Sequence, residues 1–188
     1  ERWDADKGCN VQYWPYGSVT AGLQNPYWVM NREVRENKKT RYMLNASLKY
    51  NITPWLNIAG RVKIDNYNNR QTYKIYASTN ELWSGENGNY RDIHSTLKTT
   101  YADVIATFDK KFSDWSVNVN LGASINDQQS ESIGYIGGLK IPNFFAVHNI
   151  WYERGWQPQQ DGWHEQAQAI FGNAEVGWKS IIFLTVTG

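Results

Sequence analysis

The chain has 188 residues, with 10 Trp, 12 Tyr and 6 Phe giving 15% aromatics beside 41% hydrophobic and 20% charged residues. That length suits one domain, and the aromatic load exceeds what a soluble core of this size needs. With 19 Lys+Arg against 18 Asp+Glu the formal charge is +1, so no strong field gathers nucleic acid or anionic lipid. The single cysteine, Cys9, rules out a disulfide-stapled scaffold. A mean hydropathy of −0.64 and the lack of a long apolar run rule out a transmembrane helix. They leave a membrane barrel open, because a lipid-facing strand is apolar only at alternate residues. No signal peptide opens the chain at Glu1-Arg2-Trp3-Asp4.

Residues 1–40 read as loop. From Arg41 to Tyr50 the even positions are Tyr42, Leu44, Ala46, Leu48 and Tyr50, against Arg41, Met43, Asn45, Ser47 and Lys49, a period of two that predicts a strand. A break at Asn51-Ile52-Thr53-Pro54 leads into a second run with Leu56, Ile58, Gly60, Val62 and Ile64 on one side, so the pair is a hairpin. A second hairpin follows: Ala102, Val104, Ala106 and Phe108 alternate with Asp103, Ile105, Thr107 and Asp109. After a turn at Phe112-Ser113-Asp114 come Trp115, Val117, Val119, Leu121, Ala123 and Ile125. A third spans Gln168 to Thr187 around Lys179-Ser180. Six strands are therefore expected, with short turns on one side and long joins, 66–97 and 127–165, on the other. All five prolines fall in turns or joins, as a strand ladder requires. No helix, repeat or domain linker is predicted.

Aromatic placement points to the class. Tyr50, Trp55, Phe112, Trp115 and Trp178 flank the three short turns, and Tyr42 stands eight residues before Tyr50 on the same face. Rings with one polar edge collect at headgroup level, and a tilted barrel strand crosses in about 9–11 residues. These six are the expected membrane-interface aromatics. On the opposite face Arg61, Lys63, Asp65, Asp103, Asp109 and Glu175 project as solvated lumen charges. The predicted fold class is all-β, an antiparallel up-and-down transmembrane β-barrel segment of about six strands in three hairpins. Short periplasmic turns and long extracellular loops join them. Since bacterial barrels start at about eight strands, it is an incomplete barrel, with 1–40 as extracellular loop region and 41–188 as barrel strands and loops. Two alternatives stand beside it: a soluble carbohydrate-binding β-sandwich and a small closed eight-stranded barrel.

Four segments carry a family likeness: Asn25-Pro26-Tyr27-Trp28, Gly138-Leu139-Lys140-Ile141-Pro142-Asn143-Phe144-Phe145, Phe171-Gly172-Asn173-Ala174, and Leu184-Thr185-Val186-Thr187-Gly188. In order and spacing the chain resembles the middle barrel region of SusC/RagA-type TonB-linked outer-membrane proteins. The likeness covers roughly residues 25–188. It implies a barrel of about 22 strands with a plugged lumen in the outer membrane of a Gram-negative, Bacteroidetes-type bacterium. It also implies coupling to TonB through parts of the parent protein outside this chain, and a SusD-like surface lipoprotein that captures glycan or peptide substrates.

The candidate contact residues for substrate or partner are Trp83, Tyr90, Trp151, Tyr152, Trp156 and Trp163, in joins where flat rings stand beside Asn, Gln, Asp and Arg. Such rings stack on sugars, and they serve equally in loop packing or protein contact. No catalytic, cofactor or metal site is predicted. His94, His148 and His164 are scattered, and His164-Glu165 lacks the second histidine of a zinc-protease motif. Asp103 and Asp109 lie about 20 Å apart at roughly 3.3 Å per residue, too far for a glycosidase pair. The expectation is a non-enzymatic protein that binds outer-membrane lipid.

Overall fold

The computed structural model describes residues 1–13, 24–80, 84–154 and 158–188. Its main feature is one six-stranded antiparallel sheet whose spatial order follows the sequence: β3 (Glu33–Thr53), β4 (Leu56–Tyr76), β5 (Gly88–Phe112), β6 (Trp115–Gly138), β7 (Gln159–Trp178) and β8 (Ile182–Thr187). Ahead of it stand a short pair, β1 (Arg2–Asp4) with β2 (Cys9–Val11), and helix α1 (Pro26–Arg32). The up-and-down segment expected from the periodicity is present, with β3 and β8 as its edges, so it does not close into an eight-stranded ring.

The three tight turns fall where the alternation breaks. In the last, Ile181 N–H donates to Trp178 O at 3.0 Å while Lys179 and Ser180 both hold positive φ, as a type I′ hairpin turn requires. Three expectations need correction. The strands run 20–25 residues on β3 to β7, so most of the joins expected at 66–97 and 127–165 is ladder. Beyond the apolar run most residues are polar on both faces, and alternation fades although pairing continues. For the same reason β3 reaches back to Glu33, inside the segment 1–40 expected as loop. Third, a helix is present. Asn25 caps α1 by accepting from Tyr27 N–H at 3.0 Å, Pro26 occupies its first turn, and seven residues are too few to show a period.

The described chain divides into two compact units. One comprises 41–67, 97–130 and 163–188, the other 1–40, 68–96 and 131–162. In the first, Leu48 is 77% and Ile170 90% exposed, and Leu44, Val62, Val104, Leu121, Val176 and Leu184 are exposed as well. Among the described residues the only other sheet is the pair β1–β2, so no second large sheet forms a sandwich. The second unit has a small conventional core of Tyr90, Leu139 and Ile150, with Tyr135, Phe145, Val147 and Tyr152 packed against it.

Candidate functional site

Unbroken ladders sort the residues of the sheet onto two faces. Between β6 and β7, Ser116 faces Gly177, Phe171 covers Gly122, and Asn120 Nδ2 donates to Asn173 Oδ1 at 2.9 Å. Further along, Gln166 Nε2 donates to Asp127 Oδ2 at 3.3 Å. One strand retreats as fast as the other advances, so no bulge intervenes and the period of two holds throughout.

The polar face of the first unit is a lattice of cross-strand bonds. Arg41 donates to Asp65 at 2.9 and 2.6 Å, and Arg61 reaches Asp103 with Nε–Oδ1 at 3.0 Å and Nη2–Oδ2 at 2.8 Å. Thr107 donates to Asn120 at 2.8 Å, and Thr185 to Glu175 at 3.2 Å. Asp103 was expected as a solvated charge; its side chain is fully buried under Arg61. The partner lies 42 residues away in sequence, so composition gave no sign of it. An open concavity of about 580 Å³ lies on this unit, lined by Lys49, Asn57, Arg61, Asn120, Phe171 and Asn173 among others.

The apolar face changes character at one level. On β4 the series Leu56, Ile58, Gly60, Val62, Ile64 continues as Asn66, Asn68, Arg70; on β5 Phe108, Ala106, Val104, Ala102 continues as Thr100, Lys98, Thr96. On β6 Ile125 is followed by Asp127 and Gln129, and on β7 Ile170 is preceded by Gln168, Gln166 and His164. At the other limit sit the aromatics by the turns. Trp55 packs edge-on to Phe108 at 5.3 Å, Lys110 Nζ lies 5.0 Å from the Trp55 ring and 5.1 Å from Phe112, and Lys179 Nζ lies 5.1 Å from Trp178. Tyr42, Tyr50, Phe112, Trp115 and Trp178 are exposed.

In the second unit the candidate rings divide. Tyr90 is buried and its hydroxyl donates to Asp92 at 3.3 Å, so it serves the core and not the surface on which it was expected. Trp151 donates to Glu153 at 2.9 Å, and Tyr152 donates to Val147 O at 3.2 Å with its ring against the core. Trp163, on β7 of the first unit, is exposed. Trp83 and Trp156 lie outside the described residues.

Two features that sequence reasoning missed hold these loops. Asn149, nearly fully buried, donates to Ile141 O at 2.9 Å and Phe144 O at 2.8 Å while accepting from Ile141 N–H at 3.1 Å. Asp92, also buried, takes two bonds from Arg70, at 3.0 and 2.8 Å. Those bonds hold the Asp92 carboxyl below the ordinary carboxylate range against the opposing effect of burial. Burial pushes the Tyr90 and Tyr152 phenols up. Trp28 Nε1 donates to Thr79 Oγ1 at 3.0 Å, tying α1 to the β4–β5 loop.

No family model matches the sequence, and no curated protein does. Solved structures do match. A chain of the RagAB peptide transporter superposes with a TM-score of 0.78 over 94% of this chain at 12% identity. The fold is that of part of a RagAB transporter chain. The RagAB peptide importer in its "closed-closed" and "open-open" states matches at TM-scores of 0.79 and 0.77, each over 98% of this chain at 12% and 13% identity. The likeness to RagA-type proteins carried by the four sequence segments is thus present in the fold. This chain spans about a fifth of the length of those RagAB chains, 20–21%.

Proposed function

We propose that the chain supplies barrel wall and outer loops to a TonB-dependent outer-membrane importer of SusC/RagA type. Its apolar face touches hydrocarbon and its polar face lines the lumen. One observation carries this reading: a sheet face of Leu, Ile, Val and Ala lies exposed or half-exposed with none of these side chains buried, bounded by aromatics at the turns and by amides and charges at the other limit. In water such a face would be an aggregation surface; against lipid it is the stable arrangement. The two edge strands need partners, since an unpaired backbone group in hydrocarbon costs several kcal/mol. Those partners are the remaining strands of a larger barrel.

On this reading the exposed ring of Trp163 on β7, together with the other aromatics of the sequence joins, meets a SusD-like lipoprotein or an incoming glycan or oligopeptide. The role is one of transport and not of catalysis, and TonB acts through other parts of the parent protein. Spin labels at Ile170→Cys and Asn173→Cys in the full-length protein, with Cys9 changed to Ser, test the facing. The label at 170 is expected to favour the lipid-soluble relaxant oxygen and that at 173 a water-soluble nickel chelate. Equal access of the chelate to both would overturn the proposal.

A further inference from the structure

We propose that the three short turns together form a docking rim for the phosphate of anionic phospholipids. The proposal rests on the bilayer reading above and adds the chemistry of the lipid. The turns form a connected row: Asp109 N–H donates to Trp55 O at 2.9 Å, and Lys179 N–H donates to Asp114 O at 2.7 Å. Along that row the apolar face ends in Trp55, Phe112, Trp115 and Trp178, and two ammonium groups lie on those rings. Lys110 sits between Trp55 and Phe112, and Lys179 on Trp178.

Position matters here more than count. Lys110 shares the alternation of Phe108 and Phe112, so it stands on the apolar face, whereas Asp109 shares that of Asp103 on the polar face. Among the described residues the one carboxylate within ion-pair reach of either ammonium group is Asp114, which meets Lys179 at 3.8 Å with both side chains about half exposed. Ring contact fixes each lysine stem along the surface while its charge stays in water, the geometry by which lysines reach a headgroup. Among the described residues no acceptor of this chain meets the indole N–H of Trp55, Trp115 or Trp178, which supplies neutral donors at the same level. The polar end of the same face differs. There Arg70 is committed to Asp92, Lys74 faces Glu36 at 3.8 Å, and His164 faces Asp127 at 2.8 Å. Lys38 and Lys98 share that alternation, but among the described residues it is Lys110 and Lys179 that rest on the aromatics ending the apolar face, and an anionic lipid matches that pair.

The test uses the full-length protein in phosphatidylcholine nanodiscs doped with phosphatidylglycerol, with bromine carried on the acyl chains of one lipid or the other. Quenching of tryptophan fluorescence is expected to show phosphatidylglycerol preferred over phosphatidylcholine by about fivefold per lysine. The preference is expected to weaken with added salt, to vanish in Lys110→Gln/Lys179→Gln, and to persist in Lys110→Arg/Lys179→Arg. Equal quenching by both lipids in the unmodified protein, a comparison that needs no variant, overturns the docking rim and leaves the bilayer reading standing. No quenching by either lipid overturns both.

Discussion

The ring of Phe171 on β7 fills the space that a side chain on Gly122 of β6 would occupy. An aromatic laid over a glycine across neighbouring strands shields exposed backbone and fixes the register of the pair. Gly122→Ala is expected to displace that ring and cost about 1–3 kcal/mol, as overpacking does elsewhere. With Phe171→Leu in the background the cost should fall, because the smaller side chain vacates the space. Unfolding of the two single variants and the double variant in detergent, combined as a cycle, checks this.

Val119 lies on the apolar face and Asn118 on the polar one, where it accepts from Asn120 at 2.8 Å. Val119→Arg is expected to destabilise the intact barrel by about 2–4 kcal/mol. Asn118→Arg should cost about 1 kcal/mol, the worth of one hydrogen bond. Denaturant titration of barrels refolded into bilayers would separate them, and equal costs would show the two faces to be wrongly assigned.

Asn149 provides the sharpest test of the loop core. Its amide nitrogen donates to two carbonyls, Ile141 O and Phe144 O, so Asn149→Asp would set carboxylate oxygens against them. A loss of about 3 kcal/mol in local stability is expected, from two bonds removed and acceptors left unsatisfied. Faster protease cleavage between residues 140 and 150, with unfolding of the sheet little changed, is the expected readout.

Acid should act on the same unit through Asp92. Its pKa is depressed in the folded state by Arg70, so its contribution is fully present above the ordinary carboxylate range. The contribution is lost as pH falls through the lowered folded value. Loop protection from hydrogen exchange is thus expected to decline with acidification below about pH 4. Asp92→Asn should be weaker at neutral pH and flatter across that window.

The strands were legible in the sequence wherever one face was apolar. Tyr42 to Tyr50, Leu56 to Ile64, Ala102 to Phe108 and Val117 to Ile125 all show the period because their two faces meet different surroundings. Past Ile64 on β4 and past Ile125 on β6 the residues are mostly polar, and Tyr67, Tyr73 and Ile75 or Ile133, Tyr135 and Ile136 are too sparse to set a period over ladders that continue to Tyr76 and Gly138. Helix α1 had a visible start in Asn25-Pro26, yet it ends within two turns. The polar pairs were beyond reach, since Arg61 finds Asp103 only after the chain has turned back on itself. Burial of Tyr90 depends likewise on Leu139 and Ile150, which join it from a later loop.

Strand length has a last bearing on how a cell would present this molecule. Twenty-five residues on β5, at about 3.3 Å each, make a ladder more than twice as long as hydrocarbon of about 30 Å needs. On the reading proposed above, such a strand would pass beyond the headgroups and its surplus length would stand in water. A molecule arriving from outside would then meet polar strand before it met lipid.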